Sequence, residues 1–418
     1  MPARRARASR PIASSSSFTV RVNARAAARV RLGHVWVYRS DLEPEIELPR
    51  GEVVRLSDER DRILGYALSS SSSQIALRMI SERECSTADL PSLLAERIRT
   101  AIRYRERLEI LQQTNAYRIV FSEADRLPGL IVDRYNDLVA FQVLTQAMDR
   151  AEVRNSVVQT LHDELRPAGI VERVETRIRE LENLPAVTGG LIAGEKSNTT
   201  VEMNATGSSS AVRFQYDALG GQKTGAFLDQ RENYAAAERY ARGAAMDVFC
   251  YQGGFALHLA RVCSQVTGVD ASRGALEAAE ENFALNRDSL RAPEIEWIEG
   301  NAFDLLRDWS DAGRKFGTIV LDPPAFAKTR RALPTALRGY KELNLRALKM
   351  LEPSGILVTC SCSHHVSQDD FLSMLAEAAR DAHRRIRLLE LRGQSQDHPV
   401  VAGIPETAYL KCVIAYVE

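Results

Sequence analysis

Two short segments in the C-terminal half of the chain carry side chains that could do chemistry together. Val320-Leu-Asp-Pro-Pro-Ala-Phe326 places Asp322 on a stiff turn, because the first proline fixes its own φ and keeps the residue before it extended. Val358-Thr-Cys-Ser-Cys-Ser-His-His365 contains Cys362, a soft nucleophile that can add to an electron-poor ring. Each segment follows an apolar run and begins a polar loop, which in an open α/β sheet is the carboxyl edge where ligands bind. A carboxylate and a nucleophilic thiol are therefore predicted at one edge of a sheet.

Two plainer interpretations of these cysteines stay open. A cysteine at a buried strand end more often packs in the core than reacts. The run Cys360-Ser-Cys362-Ser-His364-His365 could also bind zinc, but no second ligand pair stands about 10 to 20 residues away, and we predict no metal site. Cys360 lies inside the apolar strand or at its end, where a buried thiol stays protonated and inert. Position therefore favours Cys362 as the nucleophile and leaves the role of Cys360 open.

The elements that must position these loops follow a regular pattern. From about residue 245 onward, apolar strands alternate with helical patterns, which indicates a parallel sheet with crossover helices. Two further strands have no helical pattern between them, so we expect them to pair antiparallel. The fold class is α/β, with a Rossmann-like and mostly parallel sheet of seven strands predicted over 246–250, 265–269, 295–298, 317–321, 355–360, 386–392 and 408–417.

The strand ends of this sheet suit a nucleoside cofactor. The first turn lacks GxGxxG and hence the pyrophosphate cradle of a dinucleotide site, which argues against NAD. Asp270 ends the second strand, where an acid can accept both ribose hydroxyls, and Asn301 follows the third strand, where an amide could meet an adenine edge. Each signal alone is weak. The ordered set resembles the S-adenosylmethionine (SAM) site of class I methyltransferases, with cofactor contacts expected from Asp247, Phe249, Tyr251, Gly253, Gly254, Asp270, Asn301, Ala302 and Asp322.

Two reactions are compatible with such a site. In class I methyltransferases an Asp-Pro-Pro motif commonly holds an exocyclic amine, which would imply N-methylation of guanine or adenine. The thiol indicates another reaction, because C5 of cytosine is a poor nucleophile until a thiolate adds at C6 and turns the ring into an enamine. Asp322 would then hold the base edge and assist protonation at N3. A non-catalytic RNA-binding module is a third alternative, and the effect of a Cys362 variant on activity would distinguish the first two.

Composition limits the class of protein and its compartment. The 418 residues are too many for one ordinary core and predict two or three domains. No apolar stretch approaches the ~18 to 20 residues of a membrane span, so we expect no membrane contact. Six cysteines without a CxxC pair predict free thiols in a reducing compartment, hence a cytoplasmic protein. The formal net charge is zero, so any nucleic acid must meet a local basic patch.

The chain divides into four predicted regions. Residues 1–17 hold four arginines and no acid, and predict a flexible basic arm. Short alternating apolar segments predict a β-rich domain over 18–90. A change to helical period near 92 begins a mixed α/β domain over 91–194, and the catalytic domain follows over 195–418.

The whole chain is similar to the bacterial 23S ribosomal RNA cytosine-C5 methyltransferases of the RlmI-like type. The most specific matches are Gln222-Lys-Thr-Gly-Ala-Phe-Leu-Asp-Gln-Arg231 and Ser361-Cys-Ser363; others are His34-Val-Trp-Val-Tyr38, Ser122–Leu130, Gly339-Tyr-Lys341 and Asp397-His-Pro399. The resemblance implies a PUA domain over 18–90, Cys362 as the nucleophile and 23S rRNA as partner. It also implies that Gln230 contacts the cofactor and that Lys223 and Arg231 contact the substrate. Asn301 departs from the family, whose members often have Asp there. A homodimer is compatible with the sequence, which does not determine the oligomeric state.

A basic stretch after the Asp-Pro-Pro loop indicates RNA binding independently of the family. Seven cations stand between positions 328 and 349, against one acid, Glu342. A neutral protein with a basic rim at its active site suits a polyanion held by phosphate contacts, although a solvated helix face is the alternative. Substrate contacts are expected from Lys328, Arg330, Arg331, Arg338 and Lys341.

Overall fold

A five-stranded sheet forms the N-terminal part of the molecule. The computed structural model describes residues 18–204, 211–220 and 226–418, so the predicted arm at 1–17 and Lys223 lie outside the described residues. The elements are β1 Thr19–Arg21, α1 Ala24–Arg31, β2 Trp36–Tyr38, β3 Val53–Ser57, β4 Ile63–Ser69 and β5 Ile75–Ser81. The strands lie in the order β1-β3-β4-β5-β2. Helix α1 begins at Asn23, whose side chain accepts a hydrogen bond from the Ala26 amide and so satisfies one free N–H of the first turn.

The middle of the chain folds into a second five-stranded sheet with helices. Its elements are α2 Leu90–Arg107, β6 Ala116–Phe121, β7 Leu130–Tyr135, β8 Leu138–Val143, α3 Ala151–Leu165, β9 Gly169–Glu172, α4 Thr176–Leu181 and β10 Gly190–Gly194. The order is β10-β9-β8-β7-β6. Helix α2 buries Leu94, Ile98 and Ile102, whose spacing of four residues places them on one face. Arg105 of the same helix is also buried, where its guanidinium pairs with Asp125 and donates to the carbonyls of Arg118 and Asp397.

A third, seven-stranded sheet follows an antiparallel hairpin made of β11 Asn198–Met203 and β12 Val212–Asp217. The remaining elements are α5 Arg231–Tyr240, β13 Ala244–Val248, α6 Gly254–Ala260, β14 Gln265–Asp270, α7 Arg273–Asn286, β15 Ile295–Glu299, α8 Ala302–Asp311, β16 Phe316–Leu321, α9 Leu333–Met350, β17 Leu351–Ser361, α10 Gln368–Asp381, β18 Ile386–Arg392 and β19 Lys411–Val417.

This large sheet has the predicted α/β topology. Its order is β15-β14-β13-β16-β17-β19-β18, with parallel pairing from β15 to β17 and antiparallel pairing of β19 with both neighbours. The seven predicted strands are all present, and the expected antiparallel pairing of the last two is confirmed. β17 begins at Leu351, four residues earlier than predicted, because Leu351 pairs with Phe316 of β16 across an irregularity in the register.

The last strand in chain order is an interior strand of the sheet. β19 lies between β17 and β18, and its residues from Cys412 to Ala415 are buried. None of the described helices is both long enough and apolar enough to cross a membrane.

Candidate active site

A cavity of about 350 Å³ opens at the carboxyl edge of the seven-stranded sheet. That volume lies within the range of ~300 to 1,000 Å³ typical of small-molecule sites. The predicted residues that line it are Phe249, Tyr251, Gly254, Asp270, Asp322, Cys362 and Gln230. One cavity therefore brings together most of the predicted cofactor residues and the predicted nucleophile.

The turn after β13, residues 249–252, lines the cavity. Phe249 and Tyr251 both adopt positive φ, at 68° and 49°, and the amides of Phe249 and Cys250 donate to the Val269 carbonyl. Gly254 begins α6 where a Cβ atom would lie 2.5 Å from the Tyr234 ring, so only glycine allows this approach. The turn and the start of α6 are thus held against β14 and α5.

Asp247 lies behind this turn and is fully buried. One carboxylate oxygen accepts from the Ala256 amide at 2.8 Å, and the other has no hydrogen-bond partner within the described residues. Burial raises the pKa of Asp247 well above its ordinary value. Asp247 and Gly253 do not line the cavity, so their predicted contact with a cofactor stays a prediction.

Asp270 ends β14 and faces the cavity. Its two oxygens accept from the amides of Tyr251 at 3.0 Å and Ser272 at 2.9 Å, which orient the carboxylate. Asn301 instead caps α8 by accepting from the Phe303 amide at 2.9 Å, and neither Asn301 nor Ala302 lines the cavity. The adenine contact of Asn301 and Ala302 stays a prediction.

The two cysteines near the end of β17 differ sharply in exposure. Cys360 is completely buried opposite Cys412 of β19, and burial raises the pKa of its thiol well above the ordinary value. Cys362 is partly exposed and lines the cavity together with Asp322. All six cysteines of the chain lie in described residues, and the other five are buried. Cys250 also lines the cavity but is buried, so Cys362 is the partly exposed thiol among the lining residues.

Hydrogen bonds tie the Ser-Cys-Ser loop to the Asp-Pro-Pro loop. The Tyr340 hydroxyl of α9 lies 3.0 Å from the hydroxyls of both Ser361 and Ser363. The Ser363 hydroxyl also accepts from the Ala327 amide at 3.1 Å. The Gly-Tyr-Lys motif predicted a substrate contact for Lys341 but no role for its tyrosine, which in the structure holds the loop of Cys362.

Lys411 is a functional candidate that sequence analysis missed. It is the first residue of β19, 8% exposed, and its ammonium donates to the carbonyls of Ser363 at 2.7 Å and Tyr409 at 2.8 Å. Burial lowers the pKa of Lys411 to about 8, while the charge of Cys362 acts in the opposite direction. A lone lysine at the start of an apolar strand was the only signal in the sequence.

Arg231 lies at a buried junction between the middle sheet and the catalytic sheet. Its guanidinium forms a double hydrogen bond with Asp397 at 3.0 and 3.2 Å and also donates to the Ala116 carbonyl. The same carboxylate accepts from the Arg118 amide, and the Asp397 carbonyl accepts from Arg105. Arg231 is 2% exposed and does not line the cavity, so its contact with substrate stays a prediction.

The basic stretch divides into exposed and paired cations. Lys341 forms ion pairs with Glu377 at 3.1 Å and Asp381 at 2.8 Å across α9 and α10. The cations that precede it are exposed, and none has a carboxylate within salt-bridge distance among the described residues; they are Lys328, Arg330, Arg331 and Arg338. These four remain available to an anion.

The residues that line the cavity suit SAM. Within the described ranges, no group of three or more His, Cys, Asp or Glu side chains could hold a metal ion. The carboxylate of Asp270 faces the cavity beside the rings of Phe249 and Tyr251, and the buried Asp247 keeps an oxygen without a partner. An acid at a strand end and adjacent aromatic surface match the ribose and the adenine of a nucleoside. These residues fit the cofactor.

The chain matches two family models. Residues 20–82 match a PUA-like domain, and residues 186–414 match the S-adenosylmethionine-dependent methyltransferases. A protein of Tolumonas auensis named ribosomal RNA large subunit methyltransferase I is 36% identical over 386 residues, 91% of this chain and 94% of the relative. A protein of the same name from Shewanella amazonensis is 37% identical over 389 residues, 92% of this chain and 95% of the relative.

Solved structures show the same fold. A Streptococcus mutans protein described as a SAM-dependent methyltransferase has a TM-score of 0.80 at 18% identity, over 96% of this chain and 100% of that one. A methyltransferase complexed with SAH matches with the same score, identity and coverage. At this identity, the likeness extends to the fold alone.

Proposed function

Because the chain belongs to the S-adenosylmethionine-dependent methyltransferase family, we propose that it forms 5-methylcytosine in the 23S RNA of the large ribosomal subunit. The names of its relatives support the substrate, and a ribosomal RNA substrate agrees with the predicted cytoplasmic location. The observation on which the proposal rests is Cys362, a thiol that lines the same cavity as Asp322 while the other five cysteines are buried. An amine methyltransferase has no need of that thiol.

The cofactor is held by the carboxyl edge of the sheet in this proposal. Asp270 accepts the ribose hydroxyls, Phe249 and Tyr251 give apolar contact, and Gln230 lines the same cavity. When bound, SAM supplies an electrophilic methyl group whose bond to the sulfonium breaks as C5 of the base bonds to it. The residues of the chain bind, orient and activate the base.

The thiolate of Cys362 adds to C6 of cytosine and forms an S–C6 bond. The π electrons of C5=C6 shift to form C4=C5, and those of C4=N3 move to N3, which takes a proton with the help of Asp322. C5 is then nucleophilic enough to accept the methyl group. Loss of the C5 proton and of the proton on N3, with departure of the Cys362 thiolate from C6, restores the ring and frees the enzyme.

RNA binding in this proposal uses the exposed cations beside the cavity. Lys328, Arg330, Arg331 and Arg338 are close in sequence to the Asp-Pro-Pro loop and would contact phosphates. The PUA-like domain over residues 20–82 offers a second RNA surface. Phosphate contacts position the RNA, while the cavity selects the base.

The test is methyl transfer to 23S rRNA by the purified full chain, followed by mass mapping of modified nucleotides. Cys362→Ala should abolish methylation and leave SAM affinity unchanged, because no cofactor contact is removed. Cys360→Ala is the matched control and should retain activity with a small packing cost. RNA with 5-fluorocytosine at the target should trap a covalent adduct at Cys362, since fluorine cannot leave C5 as a proton does.

Other outcomes would contradict the proposal in recognisable ways. Methylation by Cys362→Ala, or an adduct that maps to Cys360, would contradict the proposed nucleophile. A methylated exocyclic amine would support the N-methyltransferase alternative. RNA and SAM binding without any methylated product would indicate a non-catalytic module.

An Asp270→Ala variant tests the cofactor site independently of the nucleophile. We expect it to weaken SAM binding by about 1 to 3 kcal/mol, because the ribose hydroxyls lose a charged acceptor. Isothermal calorimetry on the folded variant measures this directly, and Asp304→Ala, an exposed acid on α8, is the control. An unchanged affinity would remove Asp270 from the cofactor site.

A further inference from the structure

A buried ammonium lies beside the nucleophile loop. Lys411 pairs with Ser361 where β17 meets β19. Ser361 is the last residue of β17 and comes directly before Cys362. Its side chain turns toward the loop and donates to the carbonyls of Ser363 and Tyr409. Two of its three N–H donors are thereby occupied, and the bond to Ser363 holds the ammonium at the loop that contains Cys362.

Burying this charge is costly and is not compensated by a carboxylate. Lys411 is only 8% exposed, so water screens its charge poorly. No acidic side chain in the described ranges lies within salt-bridge distance of its ammonium. A buried ammonium without a counter-ion is unfavourable, and neutral carbonyls offset only part of that cost. An anion that forms at the adjacent Cys362 would offset the rest.

The surroundings of Cys362 otherwise oppose a thiolate. Asp229, Asp270 and Asp322 line the same cavity, and a negative charge near a thiol favours its protonated form. Lys411 is a cation bonded to the carbonyl of Ser363, the residue after Cys362, and the pairing of β19 with β17 fixes its backbone there. Its positive charge interacts with Cys362 and opposes the effect of the carboxylates on the thiol.

We propose that Lys411 is a positioning residue that holds Cys362 as a thiolate for attack on cytosine C6. This deepens the function proposed above and rests on it for the identity of the base. The thiol proton passes to solvent, the S–C6 bond forms as described above, and the ammonium stays protonated throughout. The same charge favours departure of the sulfur from C6 at the end, because a thiolate that is stabilised as an anion is a better leaving group.

The other titratable groups around Cys362 must be considered in any pH profile. They lie on the elements that surround the loop. They are Asp229 before α5, Asp322 after β16, Tyr340 of α9, Cys360 of β17, Tyr409 before β19, and His364, two residues after Cys362. Burial raises the pKa of Tyr340, Tyr409 and Cys360 above their ordinary values, so none of the three ionises near neutrality. His364 is the neighbour whose titration could resemble that of Lys411.

The experiment measures the thiolate without methyl transfer. The full chain reacts with iodoacetamide between pH 5.5 and 10 (roughly the range over which a free thiol titrates), and mass spectrometry follows alkylation of the Cys362 peptide alone. We expect the wild type to reach half its maximal rate about one pH unit or more below the ~8.5 of a free cysteine. Lys411→Met should raise that midpoint and slow alkylation about tenfold at pH 7, because one pH unit changes the thiolate fraction tenfold.

Two variants make this result specific to charge. Lys411→Arg keeps the cation and should retain the midpoint of the wild type, which loss of packing alone would not explain. His364→Gln should leave the midpoint unchanged. SAM affinity and thermal melting confirm that each variant is folded.

Several results would overturn the proposal. A wild-type midpoint at or above ~8.5 would do so even if Lys411→Met failed to fold, as would equal midpoints for Lys411→Met and the wild type. A shift in His364→Gln in place of Lys411→Met would assign the effect to histidine. Failure of the proposed methylation is distinguishable, because alkylation reports the thiolate in the absence of RNA and SAM.

Discussion

Two charged regions flank the active site and use their charges in opposite ways. At the junction with the middle sheet, Arg231 and Asp397 are 2% and 0% exposed and form a double hydrogen bond. At the rim beside the Asp-Pro-Pro loop, Arg330 and Arg331 are exposed and have no ion-pair partner among the described residues. A buried charge must be paired to offset its loss of hydration. An exposed arginine stays hydrated without a partner and is therefore free to bind a phosphate.

The difference separates residues that fix the site from those that receive a ligand. The Asp397 carboxylate accepts from two guanidinium N–H groups and from the Arg118 amide, so it connects segments that are distant in sequence. Lys341 is intermediate, since it is partly exposed but already paired with Glu377 and Asp381. Charge type alone does not separate these roles; partner and burial do.

The largest expected effect is at the junction. Asp397→Asn removes the doubly hydrogen-bonded counter-ion of the buried Arg231 and leaves it only the longer ion pair with Glu232 at 3.5 Å, so we expect a loss of about 3 to 5 kcal/mol in the free energy of unfolding. Asp381→Asn is the matched control, since that carboxylate is paired with Lys341 at the surface and should cost less than ~1 kcal/mol. Denaturant unfolding measures the free energy of unfolding of both variants. Equal losses would contradict the proposed difference between the buried junction and the surface.

The same pair predicts an acid dependence of stability. Burial alone would raise the pKa of Asp397, but Arg231 and His398 together hold it far below its usual range. Below the unfolded value of ~3.9 the unfolded chain binds a proton that the folded chain does not, so stability falls by up to ~1.4 kcal/mol per pH unit. Asp397→Asn should lack this contribution to the slope between about pH 2 and 4. A slope identical to that of the wild type would mean that Asp397 is not ionised in the folded protein.

At the rim the expected effect is on RNA and not on folding. Replacing Arg330, Arg331 and Arg338 by Ala should weaken RNA binding roughly 10- to 100-fold and reduce the salt slope by about 2, since each lost phosphate contact removes ~0.7. The melting temperature and SAM affinity should not change. Fluorescence anisotropy at several salt concentrations tests this, and an unaltered slope would place the RNA surface on the N-terminal domains.

Lys341→Ala should have the smallest effect. Its ammonium is already engaged by two carboxylates, so we expect less than ~1 kcal/mol in stability and little change in the salt slope. The comparison with Arg338→Ala, one turn earlier on α9, isolates the effect of the ion pairs. A loss of RNA affinity equal to that of Arg338→Ala would show that Lys341 leaves its partners to bind phosphate.

Local signals made much of this site predictable from sequence. An apolar run followed by Asp322-Pro-Pro, or by Ser361-Cys362-Ser363, marks a strand end without knowledge of the rest of the fold. For the same reason the seven strands and the antiparallel pairing of the last two could be predicted. Cys360 was expected to lie within the apolar strand, and it is fully buried.

Contacts between distant segments were not predictable. Lys411 meets Ser363 across 48 residues, through a pairing of β17 with β19 that periodicity does not reveal. Arg231 meets Asp397 across 166 residues, so a motif that suggested a substrate contact contains a buried ion pair. Burial of a charged side chain depends on which strands become neighbours, and that is a property of the whole fold.

The interior position of β19 has a consequence for biosynthesis. β17 and β18 leave the ribosome before β19, yet each pairs with it. The edges of β17 and β18 that face β19 therefore lack their hydrogen-bond partners until residue 417 has emerged. Until then the nascent chain exposes unpaired strands rich in Ile, Leu and Val, which are prone to pair with other chains. Lys411 also arrives only at that moment. The thiol loop thus acquires its neighbouring cation only after the other strands of the catalytic sheet have been made.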